Sequence, residues 1–246
     1  MIYTKYSASG NDFVIFHTFT EKDYSKEAIE LCNRTEGIGA DGFVVVIPSN
    51  EADFKWLFYN SDGSEASMCG NATRAVAHYA YNNGLAKDKM SFLTGAGLIS
   101  SSVEGNIVET QMTKPILIKE AFEQMGLTWY HIDTGVPHLV ALVDDLEKYD
   151  HDLCAKMRYE HNANINIAKV EDKKLYVRTY ERGVEGETLA CGTGMVACFL
   201  RAHNLGLIED KTLVYPKSGE ELTISKKDGD LYFKGAVKQV FTTTIK

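Results

Sequence analysis

The stretch Cys69–Lys89, CGNATRAVAHYAYNNGLAKDK, lies without a gap on Cys191–Lys211, CGTGMVACFLRAHNLGLIEDK. Nine of the 21 positions agree: Cys69/Cys191, Gly70/Gly192, Ala75/Ala197, Ala80/Ala202, Asn82/Asn204, Gly84/Gly206, Leu85/Leu207, Asp88/Asp210 and Lys89/Lys211. The offset of 122 residues is about half of the 246-residue chain. The same offset lays Leu31-Cys32 on Leu153-Cys154 and Glu65 on Glu187. Only two copies exist, and a solenoid needs three or more, so the pattern means duplicated halves. The expected fold is α/β (α+β), with two pseudo-symmetric domains, each a strand-rich rolled sheet around a central buried helix. The active site is expected in the cleft between them. The boundary falls within 112–130 and is set at 118/119: residues 1–118 carry Cys69 and residues 119–246 carry Cys191, with C-terminal residues free to cross back to the first half.

Local patterning agrees with this division. Residues 70–83 and 192–205 have helical composition and stop at Gly84 and Gly206, each suited to the position just past a helix end. Both stretches are apolar on nearly every face, above all MVACFL at 195–200, as befits a helix buried all round. Strand-like runs surround them: FVIF (13–16), FVVVI (43–47), FKWLFY (54–59), LVALV (139–143), INIAKV (165–170) and LYVRTY (175–180). Further helices fit 26–34, behind Ser25, and 146–158.

Each repeat therefore opens with a cysteine at a helix start. A helix N-terminus lowers a thiol's pKa, and its free N–H groups bind anions such as a carboxylate. The glycine after each cysteine lets a substrate approach the backbone closely. Two such thiols facing one cleft can invert a stereocentre: one thiolate removes a Cα proton, and the opposite thiol delivers one to the other face. The bland reading of a cytosolic cysteine is a small buried hydrophobe. Cys32, Cys154 and Cys198 fit it, on apolar helix faces. Cys69 and Cys191 do not, because both follow polar, turn-rich stretches (NSDGSEAS and ERGVEGET) and both precede glycine.

Composition bounds the function class. Hydrophobic content of 44% and charged content of 24% are ordinary for a soluble globular protein. A net charge of −8 argues against a nucleic-acid or anionic-membrane surface. The opening MIYTKYSASGNDF has neither a signal-peptide core nor a transit-peptide composition, and no apolar run approaches a bilayer span, so a cytoplasmic protein is expected. Five cysteines without a CxxC pair, and no HExxH, point to free thiols and to no metal site.

The motifs SGNDFVI (9–15), GIGADG (37–42), FYNSDGSEASMCGN (58–71), TGVPH (134–138) and YERGVEGETLACGTG (180–194) together resemble the diaminopimelate epimerase family over nearly the whole chain. The resemblance implies interconversion of LL- and meso-2,6-diaminopimelate at one α-carbon, without pyridoxal phosphate or any other cofactor. It places that isomerase step in cytoplasmic lysine and peptidoglycan precursor biosynthesis. Carried over by position, Cys69 and Cys191 are the acid/base pair. Gly70-Asn71 and Gly192-Thr193 are the helix-start cradles for the reacting carboxylate, and Asn11 lines the same end. Asn60, Asn164 and Arg182 match positions that hold the distal amino-acid head; the planar fork of an arginine suits a carboxylate. Glu181 suits an ammonium group, and His138 matches a histidine near the thiols that helps set their protonation. Asp12 is expected to hold its loop, and Glu65 and Glu187 to be structural.

Read without the motifs, Asn60 is a turn former, Glu181-Arg182 a solvated pair and His138 a strand cap. The family's usual glutamine after Gly-Ala-Asp is here Gly42, and its usual asparagine before Pro-His is Val136. Both are polar substrate contacts in the family, so a same-fold racemase of another amino acid stays open. From the residues alone, so do a thiol-disulfide redox protein and a carboxylate-binding module. The expected partner is a small-molecule amino acid, with neither nucleic acid nor membrane; a homodimer is left open.

Overall fold

Ser9 and Gly10 both adopt positive φ, so the chain opens with a two-residue hairpin joining Ile2–Ala8 (β1) to Asn11–His17 (β2). The computed structural model describes residues 1–245. Two compact units emerge: one holds Met1–Gln111 and the residues from Lys234 onward, the other Met112–Phe233.

The first unit continues through Ser25–Cys32 (α1), Gly42–Ile47 (β3), Phe54–Asn60 (β4), Gly70–Asn82 (α2), Lys89–Thr94 (β5), Gly97–Glu104 (β6) and Ile107–Gln111 (β7). Along the chain its pairings alternate: β1–β2 antiparallel, β2–β3 parallel, β3–β4 antiparallel, β4–β5 parallel and β5–β6 antiparallel. A parallel neighbour needs a crossover, and α1 and α2 supply the two crossovers. The C-terminal strand Lys238–Thr244 returns to pair with β1.

The second unit contains Ile116–Gln124 (β8), Leu127–Asp133 (β9), Pro137–Leu142 (β10), His151–His161 (α3), Asn164–Glu171 (β11), Lys174–Glu181 (β12), Gly186–Thr188 (β13), Gly192–Asn204 (α4), Lys211–Pro216 (β14), Leu222–Lys227 (β15) and the first four residues of Asp230–Ala236 (β16), whose last three belong to the first unit. It repeats the same series: β9–β10 antiparallel, β10–β11 parallel, β11–β12 antiparallel, β12–β14 parallel and β14–β15 antiparallel. Here α3 and α4 are the crossovers.

The repeated helices α2 and α4 are each 13 residues long. Every residue of α2 from Gly70 to Ala80 is buried, as is every residue of α4 from Gly192 to Leu200. Both end in the same motif: Gly84 N–H bonds Tyr81 O and Leu85 N–H bonds Ala80 O, while Gly206 and Leu207 do the same with His203 and Ala202. Met195, Val196 and Phe199 are fully buried, each stabilising by roughly 1.5–3 kcal/mol over exposure.

Two helix boundaries differ from the patterning. The first helix begins at Ser25 behind Tyr24 and ends at Cys32 rather than at 34, because Asn33 turns out of the helix and its Oδ1 accepts from Thr35 and Glu36 N–H. The helix expected over 146–158 is split. Leu146–Lys148 is one 3-10 turn, and α3 starts anew at His151, where the Asp150 carboxylate caps Asp152 and Leu153 N–H. Among the described residues, no helix is long and apolar enough to cross a membrane.

Candidate active site

Cys69 and Cys191 occupy the N-cap positions of α2 and α4, both with extended backbone (φ −151° and −122°). The first intrahelical bonds run from Thr73 N–H to Cys69 O (2.9 Å) and from Met195 N–H to Cys191 O (3.0 Å). The earlier N–H groups of each first turn, on Gly70-Asn71 and Gly192-Thr193, therefore have no acceptor within their helices. Cys69 is half-buried and Cys191 is buried, and none of the five cysteines is in a disulfide. Burial pushes the Cys32 and Cys154 thiols up to about 12, and pushes Cys198 up as well. Those three are inert small hydrophobes at neutral pH.

In the first unit, Asn71 donates its side-chain amide to Asn11 Oδ1 (2.7 Å), and Asn11 donates to Asp41 Oδ2 (3.0 Å). Arg74, fully buried one turn into α2, donates to Asn71 Oδ1 (2.8 Å), to Ser9 Oγ (2.5 Å) and to Ala236 O (3.0 Å). Asp12 faces the other way. Arg34 grips its two oxygens at 3.0 Å each, and Lys5 reaches it at 3.0 Å. Burial alone would raise the Asp12 pKa, but these cations outweigh it and hold the carboxyl below its usual range. Asp12 thus fastens the loop before β3, and its Oδ1 accepts Asp41 N–H. Asn60 stands apart from Asn11 and Asn71 in hydrogen bonding. It is exposed, and its amide donates to Ser64 Oγ (3.0 Å) within the turn 60–64.

In the second unit, three expected residues meet. His138 Nε2 lies 2.9 Å from Thr193 Oγ1, which lies 3.5 Å from Cys191 Sγ. Thr134 Oγ1 donates to Thr193 O (2.9 Å) and fixes the first turn of α4. Burial, with Arg182 and His131 nearby, pushes the His138 imidazole down to about 3, so it is neutral at physiological pH. Asn164 uses its Oδ1 to accept the Arg182 N–H (2.8 Å). The Arg182 side chain is exposed and donates to Asn162 O (3.2 Å). Glu181 accepts from Thr188 Oγ1. Glu187 is clasped by Arg178 and Lys217, whereas its repeat partner Glu65 is exposed.

Two buried residues escape a reading by motif. Arg74 is the one cation in the buried run of α2, and a charge in an all-round apolar helix is the signal that marks it. Asn166 is a polar residue inside the apolar run of β11. Its Oδ1 approaches so near that a Cβ on Gly194 would meet it at 2.3 Å, which explains a glycine within the first turn of α4.

A family model described as diaminopimelate epimerase matches residues 3–118 and 130–240. The chain belongs to the diaminopimelate epimerase family. A diaminopimelate epimerase of a Nitratiruptor species is 56% identical over 240 residues, covering 97% of this chain and 96% of that relative. One from Campylobacter jejuni is 51% identical over 242 residues, covering 98% and 97%. Among solved structures, a hydroxyproline epimerase from Agrobacterium vitis shares the fold with a TM-score of 0.75 at 13% identity, covering 99% of this chain and 91% of that one.

Within the diaminopimelate epimerase family pattern, the two departures have a structural setting. A Cβ at Gly42 would meet Phe58 Cε2 at 2.6 Å and Tyr59 O at 3.2 Å. The Phe58 ring, packed edge-on against Phe13 with centroids 6.2 Å apart, fills the space a side chain at 42 needs. Val136 contributes its backbone: its carbonyl accepts Thr134 N–H at 3.2 Å. The loop before His138 keeps that turn without a polar side chain at 136.

Proposed function

We propose that this chain is a cofactor-independent epimerase that interconverts LL- and meso-diaminopimelate by proton transfer between two thiols. The observation that carries this reading is the pair of cysteines at equivalent N-caps of two equivalent buried helices. A reaction whose substrate and product are mirror images at the reacting carbon calls for one base per face, and a duplicated unit supplies two of a kind.

In this scheme one cysteine, as thiolate, takes the proton from the α-carbon, and the cysteine of the other half returns a proton to the opposite face. Reversing the roles runs the reaction backwards. The difficulty is the weak acidity of the Cα–H. The first-turn N–H groups at Gly70-Asn71 and Gly192-Thr193 hold the carboxylate that conjugates with the forming carbanion, and their fixed dipoles need no reorganisation. Asn11 orients Asn71 at this end. Asn60, Asn164 and Arg182 take the distal head, the guanidinium pairing with its carboxylate, and Glu181 takes an ammonium group. His138 acts beside Cys191 through Thr193. A cytoplasmic location belongs to the same proposal and is supported by five cysteines none of which forms a disulfide.

Incubation with LL-diaminopimelate in deuterated water tests the reading: deuterium enters the α-position as the meso isomer forms. Absence of exchange would refute it. A second reading, a racemase of another amino acid, draws support from Gly42 and Val136, which remove two polar side chains from the family pattern. Exchange with another amino acid and none with diaminopimelate would favour that one.

A further inference from the structure

The buried polar groups behind Cys191 form a chain that runs from Asn166 through His138 and Thr193 to the sulfur. Asn166 is fully buried on β11. One of its amide N–H groups points at Leu139 O, 3.0 Å away, which only accepts. Thr179 Oγ1 donates to Asn166 Oδ1 at 3.0 Å. Those two contacts fix which end of the amide is nitrogen. The second N–H of the same nitrogen has His138 Nδ1 at 3.0 Å and Asn164 O at 3.4 Å; it goes to the nearer atom, Nδ1, which then carries no proton. In a neutral imidazole the proton is then on Nε2, which donates to Thr193 Oγ1 at 2.9 Å. The Thr193 hydroxyl accepts there and keeps its own proton to give, and Cys191 Sγ lies 3.5 Å away, within reach of that proton once the sulfur is a thiolate and can only accept. His138 and Asn166 are fully buried, and Thr179 and Thr193 nearly so, which removes water as a competing partner.

We infer that Asn166 and His138 are positioning residues that form a one-way hydrogen-bond relay, Asn166 to His138 to Thr193, ending as a donor on the Cys191 sulfur. His138 in this arrangement is a neutral donor at physiological pH rather than an acid or base. A proton added at Nδ1 would face the Asn166 N–H with no acceptor between them. A hydroxyl proton aimed at the sulfur favours the thiolate over the thiol, and so readies Cys191 to accept a proton. The packing of Gly194 against both Asn166 Oδ1 and His138 Cε1 keeps the relay against the first turn of α4. The inference rests on the assignment of Cys191 as an acid/base thiol, but its test separates the two.

Selective 15N labelling of the histidines reads the tautomer directly in the full chain, without substrate. The expected spectrum shows His138 protonated at Nε2 and bare at Nδ1. Asn166→Asp presents an acceptor in place of the donor and is expected to move the proton to Nδ1. Thr193→Val removes the hydroxyl at nearly constant volume and is expected to lower the rate of diaminopimelate exchange about tenfold, with KM little changed. Thr193→Ser, which restores a hydroxyl, recovers most of that loss. A wild-type His138 protonated at Nδ1, or a Thr193→Val enzyme as fast as the parent, overturns the relay. If Asn166→Asp does not fold, the wild-type spectrum and the Thr193 pair still decide. If the wild-type chain shows no exchange with diaminopimelate, the epimerase reading fails while the tautomer measurement still judges the relay.

Discussion

Asn71 donates its side-chain amide to Asn11 Oδ1 across 2.7 Å, and each asparagine is oriented by a charged residue on its outer side. Asp41 can only accept, which fixes Asn11; Arg74 can only donate, which fixes Asn71. Arg74→Met therefore removes the donor to Asn71 Oδ1, Ser9 Oγ and Ala236 O while keeping much of the volume. The expected loss is roughly 2–4 kcal/mol of stability, since buried acceptors lose a charged donor. KM for diaminopimelate rises as Asn11 and Asn71 become free to flip. Urea unfolding and steady-state kinetics check both, and Arg74→Lys recovers part of each. A stability change within about 0.5 kcal/mol, the range of ordinary surface substitutions, would contradict this account.

His138 makes a prediction about pH. Its folded pKa of about 3 lies below the roughly 6.5 of an unfolded histidine. Between those values the unfolded chain binds the extra proton, so stability rises with pH across this window. The contribution is fully present above about pH 6.5 and is lost as pH falls towards 3, at up to about 1.4 kcal/mol per pH unit. Burial also lowers His78 and His131, which add to the same slope. Asp12 and Glu187, where the cations outweigh burial and hold the carboxyls low, add stability that is present above about pH 4 and is lost only below it. Urea midpoints measured from pH 7 to 4.5 should therefore fall steadily in the parent and more gently in His138→Gln. Parallel curves would show that His138 is not buried in its neutral form.

Much of this site is legible in the sequence because it repeats. The Cys-Gly starts, the closing glycines and the apolar faces of α2 and α4 are local signals, and each half reports them once. Asn166 and Thr179 are different. Their meaning depends on the register of β10, β11 and β12, where His138 pairs with Asn164 and Asn166 with Thr179. Nothing local encodes that register. The split of 146–158 failed for another reason: LEKYD reads as helical, yet Asp150 is a better cap than a helix interior residue. The β8 strand is hidden because all but two of its residues are exposed and its pairing with β9 shifts register twice, which erases alternation.

Gly42 and Phe58 should behave as a coupled pair. A Cβ at 42 collides with the Phe58 ring at 2.6 Å, so Gly42→Gln alone forces that ring out of its place against Phe13. Overpacking of this kind costs about 1–3 kcal/mol. Phe58→Leu alone leaves a cavity and costs a similar amount. The double variant should be more stable than the sum of the singles predicts, by at least about 0.5 kcal/mol in a thermodynamic cycle. It should also bind diaminopimelate more tightly if residue 42 faces substrate. Simple additivity would mean that Phe58 does not explain the glycine.

Replacing either thiol tests the symmetry itself. Cys69→Ser and Cys191→Ser are nearly isosteric, so both variants should fold, yet an alcohol is a far weaker acid than a thiol. Each is expected to lower kcat by about 10²–10⁴-fold, the usual weight of a general acid or base. A thiol carries one proton, so the two-base scheme makes a sharper claim about the parent enzyme. In deuterated water, early in the reaction from the LL isomer, the meso product should carry deuterium at the inverted carbon while recovered LL substrate carries little. The base that removed the proton can return only that proton to the face it came from; the deuterium arrives from the other thiol. Equal early labelling of substrate and product would mean that one exchanging base serves both faces, and the second cysteine would need another role.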